Sequence, residues 1–235
     1  FLAPDDAELL VNLGVWAVTL RRVGRHREAH EHSRHVWEQA RRLRGEGSED
    51  AMYAAMVHAR SLRSVDRFDE ALDVSDRVAE RYVSLLGERH PYVAAADVDR
   101  AIVLRAMDRA VDALTLDRSA WELLSEAIGD DHPGTLTCLI NLANDHFALG
   151  EVAAAREVDE RALTGCLVKL DERHPLSLLA LRNLLISRKA LGEDVEDAYA
   201  DLEECFREVM GVDHPSTLSL GRRARGDADI YFGRL

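Results

Sequence analysis

GDDHPGTLTCLINLANDHFALGEVAAAREVDERAL, residues 129–163, reads as a turn, a helix, a tight glycine turn and a second helix. The His-Pro pair at its head recurs at His90, His132, His174 and His214, spaced 42, 42 and 40 residues apart. A fixed period of 20–50 residues is the mark of a solenoid. The period extends upstream without the marker, to Ser48 and Asp6. Twenty-three residues after each start comes a small residue of the second helix: Ala29, Ala71, Ala113 and Ala155. Thirty-one residues after each start is a packing position: Trp37, Ala79, Trp121 and Leu163. The turn, 18 residues in, falls at Gly24, Asp66, Asp108, Gly150 and Gly192. Five repeats therefore start near residues 6, 48, 90, 132 and 174, and His214 opens one further helix over 215–233.

The run HPxTL…NLAxxxxxLGxxxxAxxxxxxAL, followed by GxDHP, resembles the long tetratricopeptide repeat of kinesin light chains. It is also similar to the arrays at the C-terminal ends of bacterial signalling ATPases of the NB-ARC class. The likeness is closest around Asn141-Leu142-Ala143 and Asn183-Leu184-Leu185; Asp99-Arg100-Ala101 stands at that place in the third repeat. The resemblance implies an all-α, right-handed superhelical solenoid of five helix pairs plus a terminal helix, a single array over residues 1–235. Each pair is too small to bury its own apolar stripe, so stability must come from stacking on neighbours. Trp37, Trp121 and Leu163 are expected to be largely buried between repeats.

Composition narrows the function. A net charge of −13 argues against nucleic acid as a partner, because phosphate neutralisation needs a basic face. No run approaches 18 apolar residues, so no membrane partner is expected. The start of the chain shows no leader pattern, and a first residue Phe1 in place of Met suggests a piece of a longer protein. Cys138, Cys166 and Cys205 have no paired spacing and read as small buried hydrophobes in a reducing, cytoplasmic setting. Lys169 and Lys189 are the only lysines among 30 basic residues, a bias of a GC-rich, bacterial genome.

Helices are expected over 7–22 and 26–43, the first burying a stripe of Leu9, Leu10, Leu13, Trp16 and Leu20. The second is basic and His-rich, either a solvated face or a docking surface for a preceding acidic domain. His26 and His30 share a face, but His35 comes one place too late for a zincin pattern, so no metal is expected there. The four His-Pro histidines are turn and cap residues: Pro suits the first helical turn, and Asp131, Asp213 and their polar neighbours can take the free N–H groups. Repeat spacing holds these histidines on the order of 10 Å or more apart, too far to share an ion. In the fifth repeat Ala198 arrives one place late, so its second helix is expected to be short or shifted. No phosphate loop, dinucleotide fingerprint or nucleophile elbow is present, and no catalysis and no cofactor is expected.

The family resemblance implies that the Asn of Asn-Leu-Ala faces a concave groove and holds the backbone of a bound peptide. That position carries Val15, Val57, Asp99, Asn141, Asn183 and Arg223, with Arg60, Asn144, Arg182 and Arg222 on the same face. An amide side chain offers one donor group and one acceptor, which suits a peptide unit; alternatively the asparagines only bridge adjacent helices. Arg182, Arg222 and Arg223 suggest an acidic peptide, or one ending in a free carboxylate, provided they do not pair with neighbouring Glu and Asp. The expected function is a peptide- or protein-binding scaffold, the sensor or partner-recruiting part of a larger signalling protein. The competing reading is a structural module that associates with a second copy through its open end helix.

Overall fold

The computed structural model describes residues 7–230, without the side chains of residues 7–9 and Val11. Asp6, Leu9 and the end of the expected 215–233 helix thus lie outside the described residues. Among those described, all regular structure is helical. The described residues fall into two compact units, residues up to 88 and residues 89–230.

The first unit holds α1 (Ala7–Arg22), α2 (His26–Arg44), α3 (Glu49–Arg63) and α4 (Phe68–Leu86). Consecutive helices pack on one another, and α1 also touches α3. Leu10 from α1, Val36 and Ala40 from α2, and Ala51 and Ala54 from α3 make one core cluster. The buried stripe of α1 runs through Leu10, Ala17 and Leu20, while Trp16 is half exposed, contrary to the expected stripe. Ala17 rather than Trp16 lies one full heptad from Leu10, which brings it back to the same face. On the His-rich α2, His30 stacks on His58, and His58 stacks on Trp37. Burial pulls the His58 imidazole down to about 3, with His30 and Arg67 adding to the effect. His58 is therefore a neutral packing group that meets the Ser33 hydroxyl at 3.1 Å.

The second unit holds α5 (Pro91–Ala106), α6 (Ala110–Ile128), α7 (Pro133–Ala148), α8 (Val152–Lys169), α9 (Pro175–Ala190), α10 (Glu196–Met210) and a short α11 (Pro215–Ser219). First helices contact each other directly: α7 touches both α5 and α9. A 3₁₀ turn, Leu220–Arg222, follows α11, and residues 224–230 form neither helix nor strand. This corrects the expected helix over 215–233. Its pattern is broken by Gly221, by Arg223 in the left-handed region (φ 46°), and by Gly226 and two aspartates.

The repeat period is visible in local chemistry. Ala29, Ala71, Ala113 and Ala155 are all fully buried, because a larger side chain would separate paired helices. All five turn positions adopt positive φ, including Asp66 (61°) and Asp108 (60°), since short Asp tolerates the left-handed region better than most residues. Each His-Pro histidine accepts, at Nδ1, the backbone N–H two residues on: 3.3 Å at His90, 3.0 Å at His132, and 3.1 Å at His174 and His214. The histidine itself is the cap, not the preceding aspartate.

Three packing expectations are corrected. Trp37, Trp121 and Leu163 are only partly buried. The two indoles lie at an edge where Arg41 and Arg161 cover them as cations over a ring. In the fifth repeat Ala198 is exposed, and Val195, Tyr199, Leu202 and Phe206 fill the interface.

Candidate functional site

Asn141 on α7 and Asn183 on α9 occupy the same place in successive repeats, 42 residues apart, and neither is exposed to solvent. Each holds one residue of the chain's own segment after α11. Asn183 Nδ2 donates to the Gly226 carbonyl at 2.9 Å, and the Gly226 N–H donates to Asn183 Oδ1 at 2.9 Å. Asn141 Nδ2 donates to the Ala228 carbonyl at 2.7 Å, and the Ala228 N–H donates to Asn141 Oδ1 at 3.1 Å. The two residues held are two apart, the period at which extended backbone returns to the same side. Asn144 adds bonds to the Gly226 carbonyl and to Asp227 Oδ1, both at 2.9 Å, while its own oxygen accepts from Asn183. A buried amide left unpaired costs about 1–3 kcal/mol, so this face of α7 and α9 needs a polar backbone against it.

The side chains between the clamped residues are also received. Arg225 meets Asp159 of α8 in a two-pronged ion pair, 2.6 and 2.8 Å. The same guanidinium donates to the Ser187 hydroxyl at 2.6 Å, the Asn183 carbonyl at 3.1 Å and Asn144 Oδ1 at 2.6 Å, and lies 5.0 Å from the Phe147 ring centre. Asp159 is 1% exposed and Arg225 9%. Burial pushes the Asp159 carboxyl above its usual range, and its bonds to Arg225 and Ser187 pull it back down. Ala228 enters the core cluster of Leu136, Ile140, Ala143 and Ala180.

One repeat earlier, Asp117 of α6 stands at the place of Asp159. Its cation comes from within the array: Arg105 of α5 approaches Asp117 at 3.6 Å, bonds Asp145 of α7, and bonds Asp227 at 2.9 Å. Burial would lower the Arg105 guanidinium, but the carboxylates of Asp227, Asp145 and Asp117 outweigh it and hold it charged. Asp117 is pushed well above the carboxylate range by burial, then by Asp145, with Arg105 opposing.

The structure therefore places Asn141, Asn144 and Asn183 around residues 225–228. The arginines expected to stand open are not open. Arg182 is 5% exposed and donates to the Ser219 hydroxyl at 3.1 Å and carbonyl at 3.4 Å. Arg223 is held by Glu196 through two bonds, 2.7 and 2.5 Å, and covers Tyr199. Arg222 is exposed in the 3₁₀ turn, so neither it nor Arg223 projects from a first helix. Asp99 on α5 and Arg60 on α3 are both buried, and each is already engaged within the protein. Sequence reading missed Arg225, Asp159, Asp117, Asp145 and Arg105. A signal was available: Asp117 and Asp159 interrupt apolar stripes at one repeat position, Ala113-Asp117-Ala120-Leu124 and Ala155-Asp159-Ala162-Cys166. A carboxylate inside a buried stripe requires a cation from elsewhere.

Family models described as tetratricopeptide repeat match residues 58–92 and 92–167. The chain carries tetratricopeptide repeats, matched over residues 58–167. No curated protein matches its sequence significantly. Among solved structures, the TPR-like repeats of a kinesin-light-chain-like protein from Podosopora anserina superpose with a TM-score of 0.64 at 19% identity, covering 93% of this chain and 98% of that one. Bacillus thuringiensis PlcR, solved with the peptide PapR7 and DNA, gives a TM-score of 0.70 at 11% identity over 91% of this chain and 74% of its own. A Rap protein complexed with Competence and Sporulation Factor gives 0.64 at 16% identity, covering 94% and 64%. At these identities the likeness is one of fold alone.

Proposed function

We propose that this tetratricopeptide-repeat protein is a non-catalytic scaffold that captures an extended stretch of polypeptide on the asparagine-bearing face of its second unit. It would act as the sensor or partner-recruiting part of a larger signalling protein. One observation carries the reading. Asn141 and Asn183 each bond both the N–H and the carbonyl of a single residue, two residues apart along the same segment. Such contacts read backbone and not side chains, so they can hold a foreign segment in place of residues 226–228. PlcR and the Rap protein, both solved with bound partners, share the fold and support the choice of class.

The expected preference for an acidic or carboxylate-ending peptide changes in form. In the segment now bound, the acidic residue meets Arg105 and the basic residue meets Asp159, so the face suits a segment of mixed charge. The expected pairing of copies through an end helix has little helix to use, since α11 has five residues.

The test uses the full chain carrying Ala228→Arg, which cannot seat its own segment beside Leu136 and Ile140. A fluorescent peptide with the sequence of residues 222–230 should bind it saturably by anisotropy. Adding Asn141→Ala and Asn183→Ala should weaken binding at least tenfold, the loss of about 1.4 kcal/mol. Binding that ignores both asparagines would contradict the reading.

A further inference from the structure

The backbone clamp explains holding but not choice. Choice comes from the pocket between α7, α8 and α9. Asp159, Ser187, the Asn183 carbonyl and Asn144 Oδ1 all converge on one guanidinium, with Phe147 beside it. Lysine has three donors on a single nitrogen and cannot span both oxygens of Asp159 while reaching the other acceptors. The pocket carboxylate is nearly fully buried, and Arg225 is its only ion-pair partner among the described residues. Left empty, it would lose that counterion and depend on water alone, so the pocket favours a cation of this shape.

The next position is defined by shape. A Cβ on residue 226 would stand 2.6 Å from Leu179 Cδ1 and 3.6 Å from Arg182 NH1. Any residue larger than glycine must push the end of Leu179 aside. The third position presents a carboxylate to Arg105 and to Asn144. The fourth carries a small side chain, because Ala228 is 8% exposed within a packed cluster.

We propose that the groove selects partner segments of the form arginine–glycine–acidic–small, with the arginine in the Asp159 pocket as the chief determinant, and that residues 225–228 occupy the site in cis as an internal competitor for them. This rests on the groove reading above and goes beyond it by naming what is read. A tethered segment acts at an effective concentration on the order of millimolar, so a foreign segment must exceed that competition or meet a chain whose own segment has been loosened.

The test compares two labelled nine-residue peptides, one with the sequence of residues 222–230 and one with alanine in place of the residue matching Arg225. Each is titrated into the full chain, into the full chain with Arg225→Ala, and into the full chain with Ala228→Arg. Circular dichroism confirms that each variant is folded, and the two loosened variants fail for different reasons if either fails. The arginine peptide should bind both loosened chains at least tenfold more tightly than the parent chain. The alanine peptide should bind them at least tenfold more weakly than the arginine peptide, and Asp159→Asn added to Ala228→Arg should abolish that difference. If both peptides bind the loosened chains equally, the selection of arginine is wrong while the backbone clamp stands. If neither peptide binds any folded chain, the groove reading fails and this proposal with it. If the arginine peptide binds the parent as tightly as the loosened chains, the segment is no competitor and that part is overturned.

Discussion

The third and fourth repeats carry a buried acidic side chain at the same place, Asp117 and Asp159, and meet it in different ways: Arg105 stands 3.6 Å from Asp117 without a hydrogen bond, whereas Arg225 grips Asp159 in a two-pronged pair. In the third, Arg105 from the repeat's own first helix reaches the carboxylate, together with Asp145. In the fourth, the residue at the place of Arg105 is Phe147, which supplies a ring and no charge. The counterion arrives instead from Arg225, 66 residues further along. Burying a charge forces a partner, but the partner need not be local. Where it is local the pocket is structural; where it is not, the pocket is open to the receptor role proposed above.

That contrast orders the expected effects. Arg105→Ala should be the most damaging change, because Arg105 bonds the buried Asp145 and stands beside Asp117, the one cation paired with either among the described residues. Breaking a buried ion pair from one side costs about 3–5 kcal/mol, which urea denaturation would read as a lower midpoint. Arg225→Ala should cost less, about 1.5–3 kcal/mol, the worth of a charge-assisted bond. Its segment can leave and admit water to Asp159. If the two variants destabilise equally, the distinction between structural and receptor pockets collapses.

Acid should separate the pockets further. Burial holds the Asp159 carboxyl above its ordinary value, and Arg225 pulls it back. The empty pocket therefore has a higher pKa than the filled one. Seating of the segment is complete above the empty-pocket value, weakens as pH falls through it, and levels off below the filled-pocket value. Both values lie above the ordinary 3.8. Measured as peptide affinity for the Ala228→Arg chain, binding should decline on acidification; an affinity that rises as pH falls would be inconsistent with an ionised Asp159. The smallest effect concerns the turns. Repeat three has Asp108 where repeat four has Gly150, both at positive φ. Asp108→Ala should cost about 1 kcal/mol in thermal unfolding, and Asp108→Gly nothing, because only the former puts an ill-suited side chain in the left-handed region.

Much of the fold was legible because its determinants are periodic. Alanines 42 residues apart, turn positions 18 residues into each repeat and His-Pro caps all fell where the spacing put them. The asparagines are singled out by the resemblance of Asn-Leu-Ala to the tetratricopeptide repeat, and the period carries that place from one repeat to the next. What was not legible is aperiodic: residues 223–230 belong to no repeat, and their conformation is set by the face that receives them. Residues 215–233 carry a helix-like beginning, Pro215 after a histidine cap, and nothing local announces capture by α7 and α9. Arg182, Arg222 and Arg223 form one cluster only if a helix lies beneath the last two, and a 3₁₀ turn stands there instead. Asp159 was readable as an anomaly in an apolar stripe, but its partner was not.

The central claim is that Asn141 and Asn183 hold residues 226 and 228 by their backbone in the free protein. Amide hydrogen exchange at Gly226 and Ala228, followed by NMR in the full chain, tests it most directly. Both N–H groups donate to asparagine oxygens, at 2.9 and 3.1 Å. They should exchange about a hundredfold or more slowly than in a free peptide, the factor for roughly 2.8 kcal/mol of local stability. In Asn141→Ala/Asn183→Ala that protection should vanish while the amides of α7 and α8 stay slow. Exchange at free-peptide rates in the parent chain, or protection that survives loss of both asparagines, would contradict the account.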